Sequence, residues 1–144
     1  MQNLFECKIK YEKVMEDGKE KNVAEPYIVD ALSFTEAEAR IIQEVSPFIS
    51  KEFVVSDIKR LKISELVLSD KNGDDKYYKC KLVFITLDEK KGTEKKIATQ
   101  ILVQAADLRV AVKKVDEHMR GSMADYEIAN VAETAYMDVF LYKS

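Results

Sequence analysis

Few residues in this chain combine the type and the spacing that chemistry demands. The single histidine, His118, stands beside Asp116 and Glu117 on a polar stretch. Nucleophilic catalysis needs a base held against its nucleophile, and no other residue forms an evident acid/base pair with this one. The expectation is a cation near a helix C-terminus, where the helix dipole favours positive charge. Cys7 and Cys80 are 73 residues apart with no second cysteine near either, so zinc-ribbon spacing is absent. Each falls at an inward strand position, where a thiol packs as a small hydrophobe; two sulfurs meeting across an axis is the alternative. The four glycines are scattered and fit turns or helix ends, unlike the clustered glycines of a phosphate-binding loop. "DKNGDD" (70–75) resembles part of a calcium loop but lacks the glutamate that completes one, and a turn is the expected reading. No catalytic residue, metal site or cofactor is expected.

Binding leaves a stronger trace. Alternation puts Lys8 and Lys10 on the outward face of one strand and Lys79 and Lys81 on that of another, and Lys59, Arg60 and Lys62 form a further basic cluster. A basic sheet face can follow a single-stranded nucleic acid, but such sites also stack bases on aromatic rings. Phe5, Tyr11, Tyr78 and Phe84 fall on the inward register, which leaves Tyr27, Tyr77 and Tyr142 as candidates for exposed rings. Solvated strand faces account for the same lysines, and both readings stand. Asp57 and Asn130 each interrupt an apolar run where the inward parity shifts, since Phe53 and Val55 are odd and Ile58 is even. A bulge explains the shift, with a short polar side chain bonding the local backbone. The alternative is a pair of polar ligands lining a central cleft.

Composition bounds these readings. With 144 residues, 47% hydrophobic and 34% charged, the chain is long enough for one domain and has the make-up of a globular one. Its net charge of −3 argues against coating duplex DNA through an overall field, though not against a local basic groove. No apolar run approaches membrane-spanning length, and no secretory leader is evident at the N-terminus. Two cysteines would then sit in a reducing compartment, and the expectation is cytoplasmic.

The elements that must position these residues follow from periodicity. Leu4–Val14 alternates as a half-buried strand, "EDGK" (16–19) is a hairpin turn, and residues 22–32 return as a strand that Pro26 confines to an edge or a bulge. Ser33 and Glu36 have capping-box spacing before a helix whose apolar face is Phe34, Ala37, Ile41, Val45 and Phe48. Residues 52–69 return as an extended segment. The order then recurs. Tyr78, Cys80, Leu82 and Phe84 match Phe5, Cys7, Ile9 and Tyr11 at an offset of 73, "KIATQILVQA" lies over "NVAEPYIVDA" at 74, and "YEIANVAETAYMDV" lies over "FVVSDIKRLKISEL" at 73. Asp107 stands where Ser33 stood, opening a second helix with Leu108, Ala111, Val112, Val115 and Met119 on one face and Gly121 as its C-terminal stop. The expected fold is α+β: an internal duplication of a strand-strand-helix-strand unit, with mostly antiparallel sheet, two helices and a pseudo-twofold axis. Residues 1–144 form one domain of two repeats, about 3–69 and 76–142, joined by a turn at 70–75.

"EPYIVDALSFTEAEARI" (25–41) and "MADYEIANVAETAYMDV" (123–139) carry a resemblance that runs nearly end to end. The chain resembles a family of small uncharacterised proteins of bacteria and their phages, known as a domain of unknown function. The resemblance implies a phage or mobile-element setting and brings no activity or site with it.

The expected function is a non-enzymatic binding module, leaning to single-stranded nucleic acid or a nucleotide-like ligand. The alternative is a protein-interaction factor that modulates a host or phage complex. No membrane partner is expected.

Overall fold

A computed structural model describes residues 3–142. In chain order it contains β1 (Leu4–Val14), β2 (Glu20–Asp30), α1 (Phe34–Val45), β3 (Phe53–Arg60), β4 (Glu65–Val67), β5 (Lys76–Asp88), β6 (Thr93–Ala105), α2 (Leu108–Met119), β7 (Asp125–Glu133) and β8 (Val139–Phe140). The strands form two four-stranded sheets, ordered β3-β1-β2-β8 and β4-β6-β5-β7. Neighbours run antiparallel except the β2–β8 and β4–β6 pairs, which are parallel. The class is α+β. Contacts divide the chain into two compact units, one holding the residues up to Lys62 together with those from Ala135 onward, the other Ile63–Thr134.

In the first unit, Phe5, Cys7 and Ile9 on β1 and Tyr27 and Val29 on β2 pack against Ala37, Ile41 and Val45 of α1. The β1–β2 turn closes with the Met15 amide donating to the Lys19 carbonyl, and Gly18 takes φ +81°, a left-handed conformation that a side chain would strain. Ser33 caps α1, its hydroxyl accepting from the Glu36 amide at 3.1 Å. The helix ends at Val45, and the Phe48 and Ile49 amides both donate to the Val45 carbonyl. That tight turn carries Ile49 under the core at 8% exposure and leaves Phe48 outside at 79%, so Ile49 takes the place expected for Phe48.

The second unit is built alike. Cys80 and Leu82 of β5 and Ile101 and Val103 of β6 pack on Ala111 and Val115 of α2. Gly92 takes φ +64° in the β5–β6 turn, and the Asp107 carboxylate accepts from the Val110 amide at 2.9 Å to cap α2. Leu108 is half exposed, and Val110 packs against the core in its stead, beside the expected Met119.

The closing stretch 52–69 is not one continuous element. The Leu61 amide donates to the Leu4 carbonyl in the first unit, and three residues later the Ser64 amide donates to the Gln100 carbonyl in the second. β3 therefore belongs to the sheet of β1, and β4 to the sheet of β6. The same change occurs after β7: the Thr134 amide donates to the Tyr77 carbonyl and the Met137 amide to the Pro26 carbonyl, which brings β8 to β2.

Candidate binding site

The basic residues singled out from the sequence are divided between the two units. Lys8, Lys10, Lys59, Arg60 and Lys62 lie in the first unit and Lys79 and Lys81 in the second. Lys8 and Lys79 are half-buried, Lys10 and Lys81 exposed. Lys59 sits opposite Glu6 on the β1–β3 ladder and pairs with its carboxylate at 3.2 Å. Arg60 turns to the other face, its guanidinium 5.4 Å from the Phe5 ring centroid and 5.9 Å from that of Phe34. Lys62 lies past the end of β3. Of the three tyrosines considered for stacking, Tyr142 is 63% exposed, whereas Tyr27 at 8% and Tyr77 at 5% are buried. The reason lies in the register: Tyr27 is paired with Cys7 on the core side of the first sheet.

Asp57 and Asn130 each sit beside a register shift. Lys8 pairs with Asp57 while Ile9 pairs with Val55, so Ser56 is the extra residue; Lys81 pairs with Asn130 while Leu82 pairs with Ile128, so Ala129 is extra. These are the bulges that the change of parity implies. Both side chains are exposed, one on each unit. Ser56 supplies the local bond to the backbone, its hydroxyl donating to the Lys8 carbonyl at 3.3 Å.

Cys7 and Cys80 are free thiols, each in its own unit's core. Burial, together with the nearby Glu6 carboxylate, pushes Cys7 up to about 12, and burial pushes Cys80 up to about 11, so neither is a ready nucleophile. His118 contacts the Glu65 carboxylate of β4, which ties the last turn of α2 to that short strand. Among the described residues no group of His, Cys, Asp and Glu side chains could hold a metal ion, and no helix is long and apolar enough to cross a membrane.

Two positions that the sequence reading passed over organise the helices. Arg40 on α1 donates to the Asp30 carbonyl at 2.6 Å and to the Leu141 carbonyl at 2.9 Å. Lys114, 74 residues later on α2, donates to the Gln104 carbonyl at 2.9 Å and to the Asp74 carboxylate at 2.7 Å. Asp74 is buried, also accepts from the Ser69 hydroxyl at 2.6 Å, and anchors the 70–75 turn. The turn formers announce a turn there; nothing in their pattern separates this aspartate from its exposed neighbours.

The feature best suited to a partner lies at the far end of the β1–β2 hairpin. β8 covers β2 only opposite Ile28 and Val29. In this antiparallel pair the odd residues of β2 bond to β1, as the Ala31 amide does to the Asn3 carbonyl, while even residues face outward, as the Ile28 amide does toward the Asp138 carbonyl. The outward amides and carbonyls of Glu20, Asn22 and Ala24 therefore have no backbone partner among the described residues. Pro26, which has no amide hydrogen to offer, ends this open stretch. Beside it lies a groove of about 890 Å³ lined by Lys10, Tyr11, Glu12, Asn22, Val23, Ala24, Lys51 and Glu52. Its lining carries both charges, Lys10 and Lys51 with Glu12 and Glu52, and ion pairs stand at its margin. Lys51 bonds the Glu20 carboxylate, which holds that acid below the usual range, and Lys13 pairs with Glu25 at 3.3 Å. The Tyr11 hydroxyl donates to Glu25 at 2.6 Å; burial first, then this acceptor, raise its pKa.

The family model for a domain of unknown function (DUF4494) matches residues 3–142. A comparison with curated proteins finds no match. The chain belongs to that family, and its architecture is the frame within which a function has to be sought.

Proposed function

We propose that the protein is a non-catalytic binding module that takes an extended segment of a protein partner onto the outer edge of β2. The observation that carries this reading is the open stretch Glu20–Ala24, where three outward-facing residues leave amides and carbonyls unpaired beside a groove. Strand addition to such an edge draws affinity from main-chain bonds and specificity from pockets for alternate side chains. Unpaired edges invite pairing, and the outer strands β3 and β7 carry bulges that blunt them, whereas this stretch of β2 has none. The mixed lining suits a segment bearing both charges. A polyanion finds less there, because Lys51 is already paired with Glu20 and the acids Glu12 and Glu52 share the lining with Lys10. The nucleic-acid reading of Lys8, Lys10, Lys79 and Lys81 ranks behind, because Tyr27 and Tyr77, two of the three rings considered for stacking bases, are buried.

The internal duplication suggested by the sequence belongs to this proposal, supported by the matching strand order of the two sheets. So do the bacterial, phage-related setting implied by the resemblance and the cytoplasmic residence suggested by two free cysteines.

The test is a display selection of random peptides on the intact chain, followed by amide NMR titration of the selected peptides. Shifts should centre on Glu20, Asn22 and Ala24. Asn22→Pro, which removes an outward amide without touching the β1 ladder, should weaken binding by about tenfold or more, the value of one or two lost hydrogen bonds. A single-stranded oligonucleotide that binds at low salt and is released steeply as salt rises would overturn the reading in favour of nucleic acid.

A further inference from the structure

The segment Met137–Tyr142 is held on the first unit as a peptide is held in a recognition groove. Val139 and Phe140 add a parallel strand opposite Ile28 and Val29. The Ile28 amide donates to the Asp138 carbonyl at 3.0 Å, and the Met137 amide donates to the Pro26 carbonyl at 2.9 Å. The Phe140 ring lies 5.8 Å from that of Tyr27 and packs on the core. Arg40 of α1 closes the other side, bonding the Leu141 carbonyl at 2.9 Å with its guanidinium 5.4 Å from the Tyr142 ring centroid. Main-chain pairing, one aromatic anchor and one cation that grips a carbonyl are the parts of strand-addition recognition.

We propose that this groove also accepts the segment from a second copy of the chain, so that two copies dimerise by exchanging residues 136–142. The occupant is fixed by what the groove already fits. The hinge supplies the reason for exchange: the Thr134 amide is bonded to Tyr77, the buried Tyr136 donates its hydroxyl to the Glu6 carboxylate of β1 at 2.6 Å, and only Ala135 lies between. Short hinges favour exchange, because every groove contact re-forms between copies while the link is released. The closed pair needs no new interface, and its cost in association entropy is offset as concentration rises. This site uses Pro26–Val29 of β2 and is independent of the open stretch at Glu20–Ala24.

The experiment refolds isotope-labelled and unlabelled full-length chains together over a range of concentrations and counts mixed dimers by native mass spectrometry. A mixed dimer should appear and grow with concentration. A synthetic peptide of residues 136–142 in about hundredfold excess should reduce it at least about fivefold by mass action. Inserting Gly-Ser-Gly between Ala135 and Tyr136 should shift the chain to monomer while its urea midpoint stays within error. Phe140→Ala should abolish the dimer, and the insertion and peptide arms remain decisive if that variant folds poorly. Monomer at every concentration overturns the proposal, as does a dimer that neither the insertion nor the peptide reduces.

Discussion

Arg40 and Lys114 occupy corresponding positions on the two helices, and each caps the carbonyl at the end of its unit's second strand. Beyond that shared bond they differ. Arg40 turns otherwise to a backbone carbonyl and an aromatic face, neither of which is a carboxylate. Lys114 turns to the Asp74 carboxylate, which holds the 70–75 turn against α2 and β6. The planar fork of arginine spans two carbonyls, whereas the ammonium of lysine acts as a point charge against one acid. Equal backbones thus carry unequal chemistry: one unit has its helix pinned by neutral acceptors, the other by an ion pair.

The helix cores themselves should give the largest effects. Ile41 and Val115 correspond across the two units and both are fully buried. Ile41→Ala should cost about 2–5 kcal/mol and Val115→Ala about 2 kcal/mol, read from urea midpoints at constant m-value. Equal losses would break the comparison by showing that the two cores pack differently from their inventories.

Acid should separate the units next. The Lys114 and Ser69 hydrogen bonds hold the Asp74 carboxyl below the ordinary aspartate range. A group depressed in the folded state contributes stability above its unfolded value and loses it as pH falls through the folded one. Hydrogen exchange should therefore show α2 and β6 losing protection before α1 and β2 below about pH 4, and Asp74→Asn should remove that difference. Simultaneous loss in both units would contradict it.

Smaller effects should be symmetric. Gly18→Ala and Gly92→Ala face open space, so only the left-handed backbone is strained, at about 1–2 kcal/mol each. Ser33→Ala and Asp107→Ala should each cost about 1 kcal/mol of thermal stability, and only the Asp107 effect should weaken with salt, because only that cap is charged.

Local patterns carried most of the fold. Alternation located β1 and β5, positive-φ glycines their turns, and cap residues both helix starts, because each rests on residues near in sequence. The split of residues 52–69 into β3 and β4 was not legible, since Leu66 and Val67 look the same whichever sheet they join. The burial of Tyr27 and Tyr77 was missed for a similar reason, a ring with a polar tip being equally at home inside or outside. The parity change at Asp57 and Asn130 did announce the bulges. What no local pattern reveals is where an edge stays open: that depends on how far β8 reaches along β2, a distance set by residues more than a hundred positions away.

The open edge can be examined in the free protein by residue-resolved amide hydrogen exchange along β2. The account predicts alternation, with Asn22 and Ala24 exchanging fast while Lys21, Val23 and Glu25, bonded to β1, are protected. Uniform protection from Lys21 to Glu25 would show that the edge is covered, and would contradict it as the place where a partner strand is added.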